Sequence, residues 1–494
     1  LTVSAAIDTA TDVFETVIGI ECHVELSTAT KMFCGCANTF GSPPNTNVCE
    51  VCLGHPGTLP VPNEKAIEYI IRIGLALDCR IAPYSLFHRK NYFYPDMPKN
   101  FQISQYDLPI CIDGHLDIEE EGERQRIGIT RVHMEEDTGK TTHAGTTGRI
   151  HGAEYALEDY NRAGVPLVEV VSEPDIRNPE QARAYLTELR STLESLGVSD
   201  VRMEEGSLRC DANISLRPVG QQELGTKVEI KNLNSIRSLE RALRFEQTRQ
   251  ADALTRGERL VQETRHWDEN RGVTSSMRSK EFAFDYRYFP EPDLSPLEPD
   301  PEWVERLRSE LPELPAARRA RFERDHGLEP RLAALVGTEA SSARYFEQAV
   351  ALGADPTAAA NWMTGDLSAL LNASRTELST SPITPRHLAD LVKLVTNDEI
   401  SSAGAKTALA QAFSTGEDIG AIVEAKGLRQ VSDSSALDAV IDEVIAENPG
   451  PVEQFRKGKE GVLGFLVGQV MRKTNGSANP KVAGDLLRQR LAAD

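Results

Sequence analysis

Runs in which apolar and polar residues alternate recur from residue 13 to about residue 290, and a period of two predicts β-strands. In VIGIECHVEL, Ile18, Ile20, Cys22, Val24 and Leu26 share one face, and Gly19, Glu21, His23 and Glu25 share the other. In SLRCDANISLR, Leu208, Cys210, Ala212, Ile214 and Leu216 oppose Ser207, Arg209, Asp211, Asn213, Ser215 and Arg217. TKVEIK sets Val228 and Ile230 against Lys227, Glu229 and Lys231, and PLVEVVSEPD sets Val168 and Val170 against Glu169 and Glu173. Strict alternation through IGITRVHME puts Ile127, Ile129, Arg131, His133 and Glu135 together, opposite Gly128, Thr130, Val132, Met134 and Glu136. Such patterns fit an antiparallel sheet with one face on a core and one face open.

The period becomes helical at about 63–77, at 178–196, where Asn178 caps and Pro179 opens the first turn, and at about 235–256. The Pro/Asp/Glu-rich stretch YFPEPDLSPLEPDPEW reads as a linker, and Ala- and Leu-rich segments of helical spacing follow it to the end. The expected class is α+β. An N-terminal extension (1–12) precedes an antiparallel-sheet domain (13–294), an all-helical domain (295–408) and a small helical tail domain (409–494).

Composition changes this picture little: 494 residues, 40% hydrophobic and 26% charged, describe an ordinary soluble chain of several domains. No apolar run approaches the roughly 20 residues a membrane helix needs. The first stretch carries Asp8, Asp12 and Glu15 without lysine or arginine, the wrong charge for a leader, so a cytoplasmic chain with no membrane partner is expected. A net charge of −21 argues against a general nucleic-acid binder. Yet between Arg456 and Arg490 lie eight cations against only Glu460 and Asp485. That run is either a solvated helical face or an RNA contact, for which Arg472, Lys473 and Lys481 are the candidates.

The polar faces of the strands concentrate Glu, His, Asp, Asn and Arg, whereas an idle solvated face is usually Thr, Lys, Gln and Ser. If the strands are neighbours, these faces form one floor. Carboxylates there suit Mg²⁺ and basic side chains suit a transferring phosphoryl group, as in ligases of the glutamine synthetase type; a metal-dependent hydrolase would use a similar floor. Cys34-x-Cys36 and Cys49-x-x-Cys52 have the spacing of a structural tetrahedral zinc site, with four reduced thiols or two disulfides as the alternatives. Cys22, Cys79, Cys111 and Cys210 are scattered and read as small hydrophobes. DTGKTTH ends like a P-loop, but Met134 stands where the first glycine is needed, so that reading is rejected. FHRKNYFYPDMPKNFQISQYDLP interleaves Arg89, Lys90 and Lys99 with Tyr92, Phe93, Tyr94, Phe101 and Tyr106, which either stack on nucleotide bases or belong to the core.

VIGIECHVELSTATKMFCGC, NTNVCEVCLGHPGTLPV, RKNYFYPDMPKNFQISQYD, ITRVHMEEDTGK, DYNRAGVPLVEVVSEPD, MEEGSLRCDANISLRP, VEIKNLNSIRSLERAL and YRYFPEPDL together closely resemble the GatB family, the B subunits of bacterial aspartyl/glutamyl-tRNA amidotransferases. The resemblance runs from about residue 13 to the end and is densest through 295. It implies a glutamine synthetase-like cradle, a helical domain and a tRNA-contacting tail. It further implies ATP- and Mg²⁺-dependent phosphorylation of the side chain of mischarged Glu-tRNA or Asp-tRNA, followed by displacement of phosphate by ammonia. Ammonia would come from an amidase, the A subunit, while a small C subunit would make the assembly a heterotrimer. No amidase or glutaminase signature is seen in this chain.

Carried onto these residues, the resemblance implies His23, Glu136 and Glu169 as Mg²⁺ ligands, with Glu21 and Glu135 close by. Glu25, Glu205, Arg209, Asp211 and Asn213 would face ATP or a second metal. Lys231 would neutralise charge in the acyl-phosphate step, and Lys140, Asp159 and Asn161 would lie near the ammonia exit. Glu136 and Arg209 join those last four as expected catalytic residues. Zn²⁺ is expected on Cys34, Cys36, Cys49 and Cys52. Two rivals remain: a ligase acting on a free amino acid without RNA, and a non-catalytic RNA-binding scaffold.

Overall fold

The structure, a computed structural model, describes residues 13–145, 153–277, 286–430, 434–474 and 478–493. The expected N-terminal extension (1–12) lies outside them. The residues fall into two compact units, 1–315 and 316–494.

The first unit is built on strands β1 (Phe14–Glu25), β2 (Arg80–Ile81), β3 (His88–Asn91), β4 (Phe101–Ser104), β5 (Cys111–Glu120), β6 (Glu123–Glu136), β7 (Lys140–Gly145), β8 (Ala153–Asp159), β9 (Pro166–Ser172), β10 (Leu208–Pro218), β11 (Val228–Lys231), β12 (Glu263–Asp268), β13 (Val273–Ser276) and β14 (Phe289–Pro290). Twelve form one sheet in the order β13-β12-β11-β10-β1-β9-β6-β4-β3-β14, with β5 also on β6 and β2 on β5; β7 and β8 make a separate hairpin. Pairing is antiparallel except between β11 and β12. The class is therefore α+β, with an antiparallel-rich sheet.

Alternation decides which face is covered. Ile18, Ile20, Cys22, Val24 and Leu26 are at most 1% exposed, and Cys210, Ala212, Ile214, Val168, Val170, Val228 and Ile230 join them in one core. Helices α1 (Glu50–Leu53), α2 (Glu64–Ala76), α3 (Pro179–Leu196) and α4 (Ile236–Thr255) follow β1 and β9–β11. Asn178 accepts from the Gln181 N–H at 2.7 Å and Ser235 from Ser238 at 3.0 Å, which fixes where α3 and α4 begin. Tyr185, Leu186, Leu189 and Leu193 of α3 then bury completely in the sheet core, each large apolar side chain contributing roughly 1.5–3 kcal/mol.

Two expectations fail here. Strict alternation does not survive in β6: its register against β9 slips between Ile129 and Arg131, so Thr130 is an extra residue. Ile127 and Ile129 therefore share the buried face with Val132 and Met134, while Arg131, His133 and Glu135 are left on the open one. Nor is the Pro-rich stretch a loose linker. Leu297 and Ser85 form a bridge, and the Glu291 carboxylate, 4% exposed, takes two hydrogen bonds from Arg89 at 2.7 and 2.8 Å. Helix α5 (Pro301–Ser309) then packs Leu307 into the sheet core.

The second unit contains helices, with two apolar cores: one from Phe322 to Val423, the other from Leu437 to Leu491. Among the described residues, no helix is long and apolar enough to cross a membrane.

Candidate active site

Five neighbouring strands, β11-β10-β1-β9-β6, present their polar residues on the face opposite the helices. Register fixes the neighbours: Glu21 stands beside Asp211, His23 between Arg209 and Glu169, and His133 beside Glu169. Three strands thus deliver His23, Glu135 and Glu169, with one ligand atom of each within 4.8 Å of the others. His133 Nε2 lies 3.2 Å from Glu169 Oε2 and 3.4 Å from Glu135 Oε1, and His23 Nε2 lies 3.6 Å from Glu169 Oε2. Ser104 Oγ and Gln102 Nε2 donate to Glu135 at 3.0 and 3.2 Å.

Burial works against charge on these groups, and their partners offset it. Desolvation opposes protonation of His133, but Glu135 and Glu169 raise it to about 9. Desolvation likewise opposes ionisation of Glu169, but hydrogen bonds from His133 and His23 hold it well below the usual carboxylate range. An imidazole and two carboxylates converging this closely are a donor set for a divalent cation that keeps several waters.

Beside this cluster the sheet carries two further charge groups. Arg209 Nη2 donates to Asp137 Oδ2 at 2.6 Å and lies 3.8 Å from Glu25, and Arg162 Nε lies 3.6 Å from the same Asp137 oxygen. Burial and the Asp137 charge push Glu25 up to about 8. Lys231 Nζ lies 2.5 Å from Asp211 and 3.0 Å from Glu229, and Asn213 Nδ2 donates to Glu21 at 2.9 Å. Arg209 Nε and Asn213 Oδ1 are buried without hydrogen-bond partners. A cleft of about 570 Å³ opens between His23, Arg209, Asp211 and Lys231 on one side and Met203, Glu205 and Asn232 to Asn234 on the other.

Other expected residues sit elsewhere. Glu136 shares the parity of Val132 and Met134. It turns away from the cluster, accepting from Ile103 N at 2.8 Å and pairing with Lys99, so the structure does not bring it to His23 and Glu169. Lys140 pairs across the hairpin with Asp159. Asp159 and Asn161 accept from the backbone of Asn45 and Asn47 at 2.9 and 2.8 Å, pegging the loop between the two cysteine pairs. Lys473 is tied to Glu443 and Glu447 at 3.0 and 2.8 Å, and Arg472 bonds Gln469, while the Lys481 side chain is exposed.

The four cysteines do converge. Cys52 Sγ lies 3.5 Å from Cys34 and 3.8 Å from both Cys36 and Cys49, and none is in a disulfide. Tetrahedral zinc at about 2.3 Å from each sulfur separates sulfurs by about 3.8 Å, so the donor set fits that ion. A hydrogen bond from Cys34, reinforced by Lys31, pulls Cys52 down to about 4. The buried Lys31 ammonium lies 3.5 Å from that sulfur.

Residues that sequence reasoning left unassigned complete the site. His133 bridges the carboxylates, and Asp137 anchors Arg209. His133 was visible as one more polar strand residue; its bridging role depends on register, which alternation does not supply.

Residues 16–305, more than half the chain, match the family described as the GatB/GatE catalytic domain, and 344–491 match the GatB domain. Curated relatives cover nearly the same length. The B subunit of the aspartyl/glutamyl-tRNA(Asn/Gln) amidotransferase of Carboxydothermus hydrogenoformans is 53% identical over 97% of this chain and 99% of its own. The protein of the same name in Moorella thermoacetica is 53% identical over 97% and 100%, and that of Thermosynechococcus vestitus 53% identical over 98% of each.

Proposed function

The chain belongs to the GatB/GatE family, and from that premise we propose that its open sheet face converts mischarged Glu-tRNA(Gln) or Asp-tRNA(Asn) to the amide by ATP-dependent phosphorylation and ammonia displacement. The observation that carries this reading is the convergence of His23, Glu135 and Glu169 next to a cleft edged by Arg209 and Lys231. We assign the cleft to ATP, and read the sheet as a cradle of the glutamine synthetase type. His23, Glu135 and Glu169 would hold Mg²⁺, which when bound neutralises phosphate charge. Zn²⁺ on Cys34, Cys36, Cys49 and Cys52 would be structural.

The chain's own groups then divide the work. Arg209, with its unpaired buried Nε, and Lys231 lower the cost of charge on the phosphoryl group during transfer. Asp137 orients Arg209 by its 2.6 Å hydrogen bond. The substrate carboxylate oxygen attacks the γ-phosphorus, the bond to ADP breaks, and an acyl phosphate forms. Ammonia attacks the acyl carbon, phosphate leaves, and nitrogen gives up a proton. The curated relatives are named as B subunits, and the proposed partners, in the cytoplasm, are the amidase (A) and small (C) subunits of a heterotrimer, with the amidase supplying ammonia. The tail cations, with Lys481 foremost, are the proposed RNA contacts.

The test uses the chain purified with its partner subunits, mischarged tRNA, ATP, Mg²⁺ and ammonium chloride. ATP-dependent formation of the amide, reduced at least about a hundredfold by Glu169→Gln with tRNA binding unchanged, is expected. Undiminished conversion by Glu169→Gln would remove the cluster from the chemistry.

A further inference from the structure

The sheet order divides the open face. The carboxylate–histidine cluster sits on β1, β9 and β6, and the cleft assigned to ATP lies on the β10–β11 side. On the opposite side, beyond β6, come β4, β3 and β14, and there the surface is aromatic and cationic.

Tyr106 follows β4 and stacks on Tyr288, which precedes β14, with ring centroids 4.4 Å apart and planes inclined by 13°. Tyr286 meets Tyr288 edge-on at 6.1 Å. Arg131 lies over the Tyr106 ring at 5.7 Å and Lys90 over Tyr286 at 5.0 Å. This is not core: Tyr106 is 48% exposed. The wall also reaches the cluster. Arg131 Nε lies 3.4 Å from His133 Nδ1, on the imidazole that bridges Glu135 and Glu169. Burial and then the Glu135 charge hold the Tyr288 hydroxyl above its ordinary range, as that neighbourhood requires.

We propose that Tyr106, Tyr286 and Tyr288, with Arg131 and Lys90, hold the single-stranded 3′-terminal nucleoside of the aminoacylated RNA, its base against the rings and its phosphate against the cations. The inference rests on the function proposed above and says from which side the acyl group enters. The reacting carboxylate is carried by an aminoacyl group esterified to the terminal ribose, so that ribose must lie beside the cluster. The β10–β11 side is taken by the triphosphate, which leaves the aromatic side. Planar rings and two cations match a base and a phosphodiester in chemistry and in number, and stacking accepts a base without reading its edge. The adenine of ATP offers the same chemistry; its assignment to the other flank is what the experiment must separate.

The probe is an RNA acceptor stem ending in 2-aminopurine, whose fluorescence is quenched on stacking, added to the complete complex without ATP. Quenching is expected with the wild-type chain and with Tyr288→Phe, and its loss with Tyr106→Leu and with Tyr288→Leu. The two leucine variants lie on separate segments, so loss of one fold element cannot mimic both. In turnover, KM for charged tRNA should rise about ten- to a hundredfold in the leucine variants while KM for ATP stays unchanged. A raised KM for ATP with an unchanged KM for tRNA would give the wall to the nucleotide and overturn the proposal. Charged tRNA converted normally by both leucine variants would overturn the wall alone. No conversion of any charged tRNA by the wild-type complex would overturn the proposed function and this inference with it.

Discussion

Lys99 and Glu136 show how far a single charge can matter when both partners are out of water: their side chains are 9% and 3% exposed. Glu136 also takes the Ile103 N–H at 2.8 Å. Lys99→Met would leave that carboxylate buried with its main counter-charge gone, at a cost of about 3–5 kcal/mol. Denaturant unfolding should show this loss, and adding Glu136→Gln should recover much of it by removing the stranded charge. A loss below about 1 kcal/mol would mean that water reaches Glu136. The same pair explains why an adjacent-carboxylate motif misleads. Glu135 and Glu136 are neighbours in sequence, but a strand sends neighbours to opposite faces, so only Glu135 reaches His23 and Glu169.

One register slip in β6 sets the composition of the site. The slip absorbs Thr130, so Val132 and Met134 stay in the core and Arg131, His133 and Glu135 stay on the open face. Deleting Thr130 would place Ile129 two positions before Val132, so plain alternation would keep Ile127, Ile129, Val132 and Met134 on the core face and align β6 with β9 without a slip. The chain lacking Thr130 is therefore expected to stay soluble and fold, as is Thr130→Val, which keeps the residue count; soluble yield and circular dichroism check both. An insoluble deletion would show that the extra residue is needed, to keep β6 in step with β5, whose pairing runs through Arg131 and Ile129 without a slip. At this scale the sequence was legible where its period was uniform. The faces of β1, β10 and β11 and the cap of α3 follow from pattern and capping chemistry. What could not be read was where a period breaks and which strands become neighbours. A slip leaves no mark in Thr130 itself, and the order β10-β1-β9-β6 joins segments up to about 200 residues apart. The convergence of the four cysteines was readable because their spacing is local. The pegging of their loop by Asp159 and Asn161 was not, since those partners lie more than 110 residues away.

Over the whole chain, the apolar cores say where a cut would be tolerated. A tail beginning at residue 409 would take Leu409, Ile419, Ile422 and Val423 from the helical core, where each is at most 2% exposed. At about 1.5–3 kcal/mol for each buried side chain, that removes about 6–12 kcal/mol, comparable to the whole stability of a domain at about 5–15 kcal/mol. The last core begins at Leu437, and Arg429 still bridges Ile400, so a chain ending at Gln430 keeps the helical core complete. The two truncations should therefore separate folding from RNA affinity. The chain 1–408 is expected to lose its helical unit to limited proteolysis. The chain 1–430, assembled with the partner subunits, is expected to resist proteolysis and to convert mischarged tRNA at saturating concentration. Its affinity for tRNA should be weaker and fall less steeply with salt, by about one unit of log–log slope for each phosphate that the tail otherwise neutralises. An unchanged slope would move the RNA contacts off the segment after 430 and leave its lysines and arginines as a solvated face balanced by Glu443, Glu447 and Asp485, their present partners.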